Sequence, residues 1–161
     1  MWKAGLIALV LLAALGPQEG ERINAKTYQM EVLGVAADPH SGQPMVILRG
    51  KEEKRHLTMF IGPFEAQSIA MSLQGVHPPR PLTHDLMVSV LGKLRTKLKK
   101  VVITELREST FYALLHLEQD GGEMTVDSRP SDAIALALRA DAPIFAEEQA
   151  FPKEQPKGEV L

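Results

Sequence analysis

The alternation of apolar and polar positions divides the chain into strand-like and helix-like segments. "RHLTMFIG" sets Leu57, Met59 and Ile61 on one face and His56, Thr58 and Phe60 on the other, the period of two that predicts a half-buried strand. Strand formers also fill "TYQMEVLGVA" (Thr27–Ala36), "PMVILR" (Pro44–Arg49), "KKVVITEL", "TFYALLHL", "EMTVD" and "APIFA". Turn residues separate these runs at "DPHSG", "GKEEK", "REST" and "EQDGGE". The helical period appears three times. "GPFEAQSIAMSLQG" predicts a buried stripe of Ala66, Ile69, Ala70 and Leu73, with Pro63 suited to the first helical position and Gly75 to the stop. Thr83 reads as the cap of a second helix whose core-facing side is Leu86, Met87, Val90, Leu91 and Leu94. "VDSRPSDAIALALR" ends in a third, with Ala133, Ile134, Ala137 and Leu138 on one face. Hairpins and helices alternating in groups predict a single α+β domain, mainly antiparallel, with about three helices.

The ends differ from this middle. Residues 1–16, "MWKAGLIALVLLAALG", place Lys3 before an apolar run from Ala4 to Gly16, the pattern of a secretory signal and short for a membrane span. That predicts export to the periplasm or the cell exterior. Pro17 would follow the cleavage point and hinder it, so an uncleaved anchor is the alternative, as is a helix packed on the domain. Residues 17–26 read as a linker and 27–147 as the domain. Residues 148–161 are polar, contain Pro152 and Pro156, and predict a disordered tail. There is no cysteine, which excludes disulfides and thiolate metal sites. Between Ala25 and Ala146 acids and bases are equal in number. Binding to a phosphate backbone therefore requires a local basic patch.

Four stretches occur in order: "IGPFEAQSIA", "RPLTHDL", "VVITEL…TFYALLHLEQDG" and "VDSRPSDAIALALR…APIF". Together, over about Tyr28–Glu147, they resemble the bifunctional nuclease domain family, also catalogued as a domain of unknown function. The resemblance implies a compact α+β fold, a homo-oligomer, and a nuclease acting on DNA and RNA with low sequence preference. It carries no assigned catalytic residues, and the export signal is a departure from what most relatives are expected to have.

Phosphodiester hydrolysis needs an activated water and relief of phosphate charge, which carboxylates often supply by holding divalent metals. Asp127 and Asp132 are the candidate carboxylates for magnesium or manganese, with Arg129 as a planar clamp for phosphate oxygens. The structural alternative is helix capping by Ser131 and Asp132, with an Asp127–Arg129 ion pair. In "RPLTHDL", His84 is a candidate general base or metal ligand, Asp85 a second acid, and Arg80 a phosphate contact. The alternatives are an exposed or capping histidine and an acid placed by the helix dipole. Glu65 reads as a helix-start acid with a lesser claim as a third carboxylate. His40, His56, His77 and His116 show no ligand spacing, and Phe111 and Tyr112 alternate sides of a strand with core as the leading reading. No acid lies between Leu86 and Thr104, while Lys93, Arg95, Lys97, Lys99 and Lys100 supply five cations. They form either a solvated helix end and loop or a nucleic-acid contact. The competing function is a non-catalytic oligomeric module that recognises a protein or an anionic ligand. A small phosphoester is a third possibility as substrate.

Overall fold

The computed structural model describes residues 25–52 and 54–153. Seven strands form one sheet: β1 (Thr27–Ala37), β2 (Pro44–Gly50), β3 (His56–Phe60), β4 (Thr96–Arg107), β5 (Thr110–Gln119), β6 (Gly122–Ser128) and β7 (Ile144–Glu147). Their spatial order is β3-β2-β1-β7-β4-β5-β6. All neighbouring pairs are antiparallel except β4 with β7. Three helices complete the α+β domain: α1 (Pro63–Leu73), α2 (Thr83–Lys93) and α3 (Pro130–Ala140).

Local chemistry sets much of this. Two-residue turns join β4 to β5 and β5 to β6. Glu108 and Ser109 have φ of 49° and 61°, and Asp120 and Gly121 have φ of 50° and 80°. Two successive positive φ values are the turn geometry that follows the right-handed twist of a hairpin. Leu57, Met59 and Ile61 face the core as their alternation predicts. So do Val46 and Leu48 on β2, and Val101 and Ile103 on β4. α3 is the central helix, with Ala133, Ile134, Ala135, Leu136 and Ala137 all essentially without solvent contact. Its three alanines let it lie close to the sheet, and α1 and α2 pack on either side of it.

Three expectations are corrected. In α2, Leu86, Met87, Val90 and Leu94 are 56 %, 41 %, 46 % and 58 % exposed, and the buried residue is His84. α2 meets the core through His84, Val88 and Leu91, so of the five predicted core-facing residues Leu91 packs as expected and the other four lie on the outer side. In α1, Ser68 is buried with Ala66 and Ile69, while Leu73, the last helical residue, faces solvent. Finally, the folded region runs past Glu147. Glu148–Ala150 form a single 3-10 turn with Ala150 fully buried. Phe151 meets Tyr28 edge to face at 5.4 Å, and the Arg55 guanidinium lies 4.3 Å and 5.0 Å from those two rings. Residues 1–24 and 154–161, and with them the signal and most of the tail, lie outside the described residues.

Candidate functional site

The first turns of α1, α2 and α3 converge, and each brings an acid to its own positive end: Glu65, Asp85 and Asp132. Pro130 starts α3 and Arg129 stands at its cap position, but no side chain caps the helix. Asp132 is used otherwise. Its Oδ2 accepts from Arg129 Nε at 2.7 Å, and its Oδ1 lies 3.0 Å from His84 Nε2. The opposite ring nitrogen of His84, Nδ1, is 2.9 Å from Ser68 Oγ. Ionised Asp132 only accepts, so Nε2 carries the proton; in the neutral imidazole Nδ1 accepts from the Ser68 hydroxyl. Arg129 extends the chain of contacts, donating from Nη2 to Glu65 Oε1 at 2.8 Å.

A second cluster backs the first. Asp85 Oδ2 accepts from the Leu82 backbone N–H at 2.8 Å, which makes Leu82, rather than Thr83, the cap residue of α2. Asp85 Oδ1 accepts from Arg139 Nε at 2.5 Å. Arg139 also donates to the carbonyls of Ala135 and Ser68, tying all three helices together. Burial pushes the Asp132 carboxyl up, but hydrogen bonds from Arg129 and His84 outweigh it and leave the group below its ordinary value. Asp85 follows the same pattern: burial raises it, and Arg139 with the Leu82 N–H brings it down overall. Asp132 and Arg129 stabilise each other's charged forms, and Arg129 is raised by Asp132 first and Glu65 second.

These shifts have a sign. A carboxyl depressed in the folded state holds protons better when unfolded, so its stabilisation is complete above the unfolded value. It is lost as pH falls through the folded one. We therefore expect stability to drop as the pH is taken from neutrality through and below 3.8, the ordinary value of both acids. Urea midpoints measured across that range check it. In an Asp85→Asn, Asp132→Asn double variant that part of the pH dependence should flatten.

Ser68, His84 and Asp132 line up in the order of a nucleophilic triad, but the chemistry does not follow. Ser68 is 4 % exposed within α1 and His84 8 %, both buried, so neither reaches a substrate. The groups that face solvent are Arg129, with 67 % of its side chain exposed, and one edge of Asp132. The serine and histidine thus orient Asp132 from behind.

The other sequence candidates lie apart. Asp127 is an exposed residue of β6 opposite Leu114. Arg129 pairs with Asp132 and Glu65 in its place. Among the described residues no three His, Asp or Glu side chains converge so as to hold a metal ion. Both Asp132 oxygens are already engaged and Asp127 stands exposed on β6, so an Asp127–Asp132 pair does not fit a divalent cation as packed. Arg80 is exposed in the connection before α2 and makes no ion pair with a described residue. Lys97, Lys99 and Lys100 belong to β4, not to a helix end or loop. Lys97 is opposite Glu118, Lys99 Nζ is 2.9 Å from Glu118 Oε2, and Lys100 Nζ sits 5.9 Å from the Phe145 ring. His116 beside Lys100 is pushed down by burial first and by that lysine second. Tyr112 lies under the Arg107 guanidinium, 4.5 Å from it, and Phe111 packs on the core.

Sequence reading missed Ser68 and Arg139 and underweighted Glu65. A serine among the buried positions Ala66 and Ile69 was a usable signal, as was an arginine closing the apolar run of α3. Phe64 was also missed. It precedes Glu65 in α1 and is 81 % exposed.

Comparison with known proteins gives the family. The bifunctional nuclease domain model matches residues 46–157. An uncharacterised Mycobacterium tuberculosis protein is 42 % identical over 120 residues, 74 % of this chain and 71 % of its own length. Bifunctional nuclease 1 of Oryza sativa subsp. japonica is 30 % identical over 98 residues, 58 % of this chain and 30 % of the rice protein. Bifunctional nuclease 2 of the same plant is 30 % identical over 107 residues, 63 % of this chain and 33 % of its own. The chain thus spans about a third of those plant proteins. On the extent of the domain match, this chain belongs to the bifunctional nuclease domain family.

Proposed function

We propose that the chain is a nuclease that hydrolyses phosphodiester bonds of DNA or RNA with low sequence preference, at the junction of the three helix starts. One observation carries the reading: Arg129 is two-thirds exposed, yet held at that junction by two carboxylates. A planar guanidinium matches a phosphate bidentately. When Arg129 turns to a phosphate, Asp132 Oδ2 is released beside it and loses its strongest charge partner. Its basicity then rises. Held by His84 through Oδ1, it orients a water for attack on phosphorus and accepts the water's proton. The phosphorus–oxygen bond to the leaving group breaks, and solvent supplies that oxygen's proton. Phe64 offers an exposed ring next to Glu65 on which a base can stack without sequence preference.

The test is cleavage of end-labelled single- and double-stranded oligonucleotides in magnesium, in manganese and in chelator. We expect cleavage to persist in chelator. A strict requirement for metal would mean that Asp132 exchanges Arg129 for a cation. Phe64→Ala should raise KM by roughly tenfold with little change in kcat, from the ~1–3 kcal/mol that a stacked base contributes.

The competing reading, a non-catalytic oligomeric binding module, is favoured by one observation. Each acid at the junction already has a basic partner, Arg129 for Glu65 and Asp132 and Arg139 for Asp85. Binding without cleavage in every metal condition would establish it. The proposed place of action is outside the cytoplasm, on the strength of residues 1–16. Mass spectrometry of the chain's N-terminus after expression in its own host tests both export and cleavage.

A further inference from the structure

We infer that the cleft between the start of β3 and the end of β4 is a second ligand site, which takes a nucleoside phosphate. The inference does not rest on the nuclease reading. The cleft has a volume of about 1120 Å³. That is the large end of the scale for ligand pockets, roughly 300–1,000 Å³. Three segments meet there: the β2–β3 connection with the first residue of β3, the end of β4, and the 3-10 turn with the residues after it. No residue of α1, α2 or α3 lines it, so it shares nothing with the junction of the helix starts.

Charge is the first argument. Among the described residues the lining holds four cations, Lys54, Arg55, Arg107 and Lys153, against two acids, Glu105 and Glu148. Both acids are already engaged. Glu148 accepts from the Tyr28 hydroxyl and from Arg55 Nη1, the latter at 2.8 Å, and so holds Arg55 against the Tyr28 and Phe151 rings. Glu105 Oε1 lies 3.8 Å from Arg107 Nη1, at the outer limit of an ion pair. The Arg107 guanidinium is 58 % exposed and rests over Tyr112. Lys54 and Lys153 are exposed and make no ion pair with a described residue. One solvated cation from each of three segments thus borders a single space, which a multiply charged anion complements.

The apolar part of the lining is the second argument. Leu106 and Phe151 are half-buried there, and exposed Pro152 follows Phe151. Inorganic phosphate would use none of this surface and little of the volume. A nucleoside phosphate uses both. Its flat base covers Leu106 and Phe151, and its phosphate oxygens meet the Arg107 fork and the two lysines. His56, exposed in the same lining, offers a ring N–H to the sugar or the phosphate. Free nucleotides and the phosphorylated ends of nucleic-acid strands share this chemistry.

The test is calorimetric titration of the full chain with adenosine monophosphate, adenosine diphosphate, adenosine and inorganic phosphate, at low and high salt. We expect the nucleotides to bind at least about tenfold more tightly than adenosine or phosphate alone, and less tightly as salt rises. An Arg107→Glu, Lys153→Glu double variant should weaken them by roughly 100-fold. Its melting should stay at the wild-type value, because both positions are exposed. Arg129→Ala should leave the affinity unchanged, which separates this cleft from the helix junction. A chain that binds nucleotide and cleaves nothing overturns the nuclease reading alone. Displacement of the nucleotide by a hydrolysis-resistant oligonucleotide with a 5′-phosphate, and not by its 5′-hydroxyl counterpart, supports the proposal with strand ends as the source. Displacement by neither supports it with free nucleotide as the source. No nucleotide binding, inorganic phosphate binding as tightly as the nucleotides, or an affinity that survives the double charge reversal overturns the proposal.

Discussion

Arg129→Ala is expected to lower kcat by on the order of 10²-fold or more, as removal of a single preorganised charge donor does elsewhere, while leaving the melting temperature nearly unchanged. The two halves of that result come from different properties of the same side chain. Arg129 is mostly solvated, and ion pairs made there are screened and contribute less than ~1 kcal/mol. Its partners also stay satisfied after its loss: Asp132 keeps His84, and Glu65 is free to take water. The reaction, by contrast, depends on a bidentate donor for phosphate charge, and no other exposed arginine meets the junction among the described residues. Arg129→Lys should recover only part of the rate, because a point charge cannot reproduce the fork. Steady-state kinetics on one labelled oligonucleotide, paired with thermal melts, reads both quantities. A variant that cleaves at the wild-type rate would remove Arg129 from the mechanism and move the function towards the binding module.

His84→Ala is the second large effect, and its balance is the reverse. The imidazole is buried, and both nitrogens are engaged, by Ser68 and Asp132. Its removal leaves a buried hydroxyl and a carboxylate each short of a partner, at ~1–3 kcal/mol apiece, besides a cavity. We expect a loss of about 3–4 kcal/mol in stability and a melting temperature lower by roughly 10 °C or more for a domain of this size. Ser68→Ala should show a smaller share of the same loss. Because His84 reaches substrate only through Asp132, the folded variant should keep more activity than Arg129→Ala does. A His84→Ala protein that melts like wild type but no longer cleaves would mean that the imidazole itself meets the substrate.

The sequence candidates divide according to how local their evidence was. Pro130 at the first helical position, Asp132 in the first turn and the apolar face of α3 were legible because each depends on neighbours within one turn. The roles of Asp132 and Arg129 were not, because their partners stand 48 and 64 residues away. Asp127 and Arg129 looked like a pair on spacing alone. The change from strand to helix at Ser128 swings Arg129 towards α1 and leaves Asp127 on the exposed edge strand. Lys97 and Lys99 looked like a free basic run, but the hairpin sets Glu118 across from them. In α2 the apolar period was real and its destination was misread. Periodicity shows that a face is apolar without saying what covers it.

By itself the sequence determined the order and type of elements, the α+β class, the membership suggested by four ordered motifs, and the absence of disulfide chemistry. Each is settled by backbone preference, turn chemistry or composition over a few residues. Only the tertiary structure decided that the three helix starts meet, that Asp132 is held by histidine and arginine rather than used as a cap, and that Leu86, Met87, Val90 and Leu94 of α2 point outward while Leu91 packs on the core. The reason is competition for the single sheet face. α3, rich in alanine, takes the central place between α1 and α2, so α2 meets the core with His84, Val88 and Leu91 and leaves Leu86, Met87, Val90 and Leu94 on its outer side.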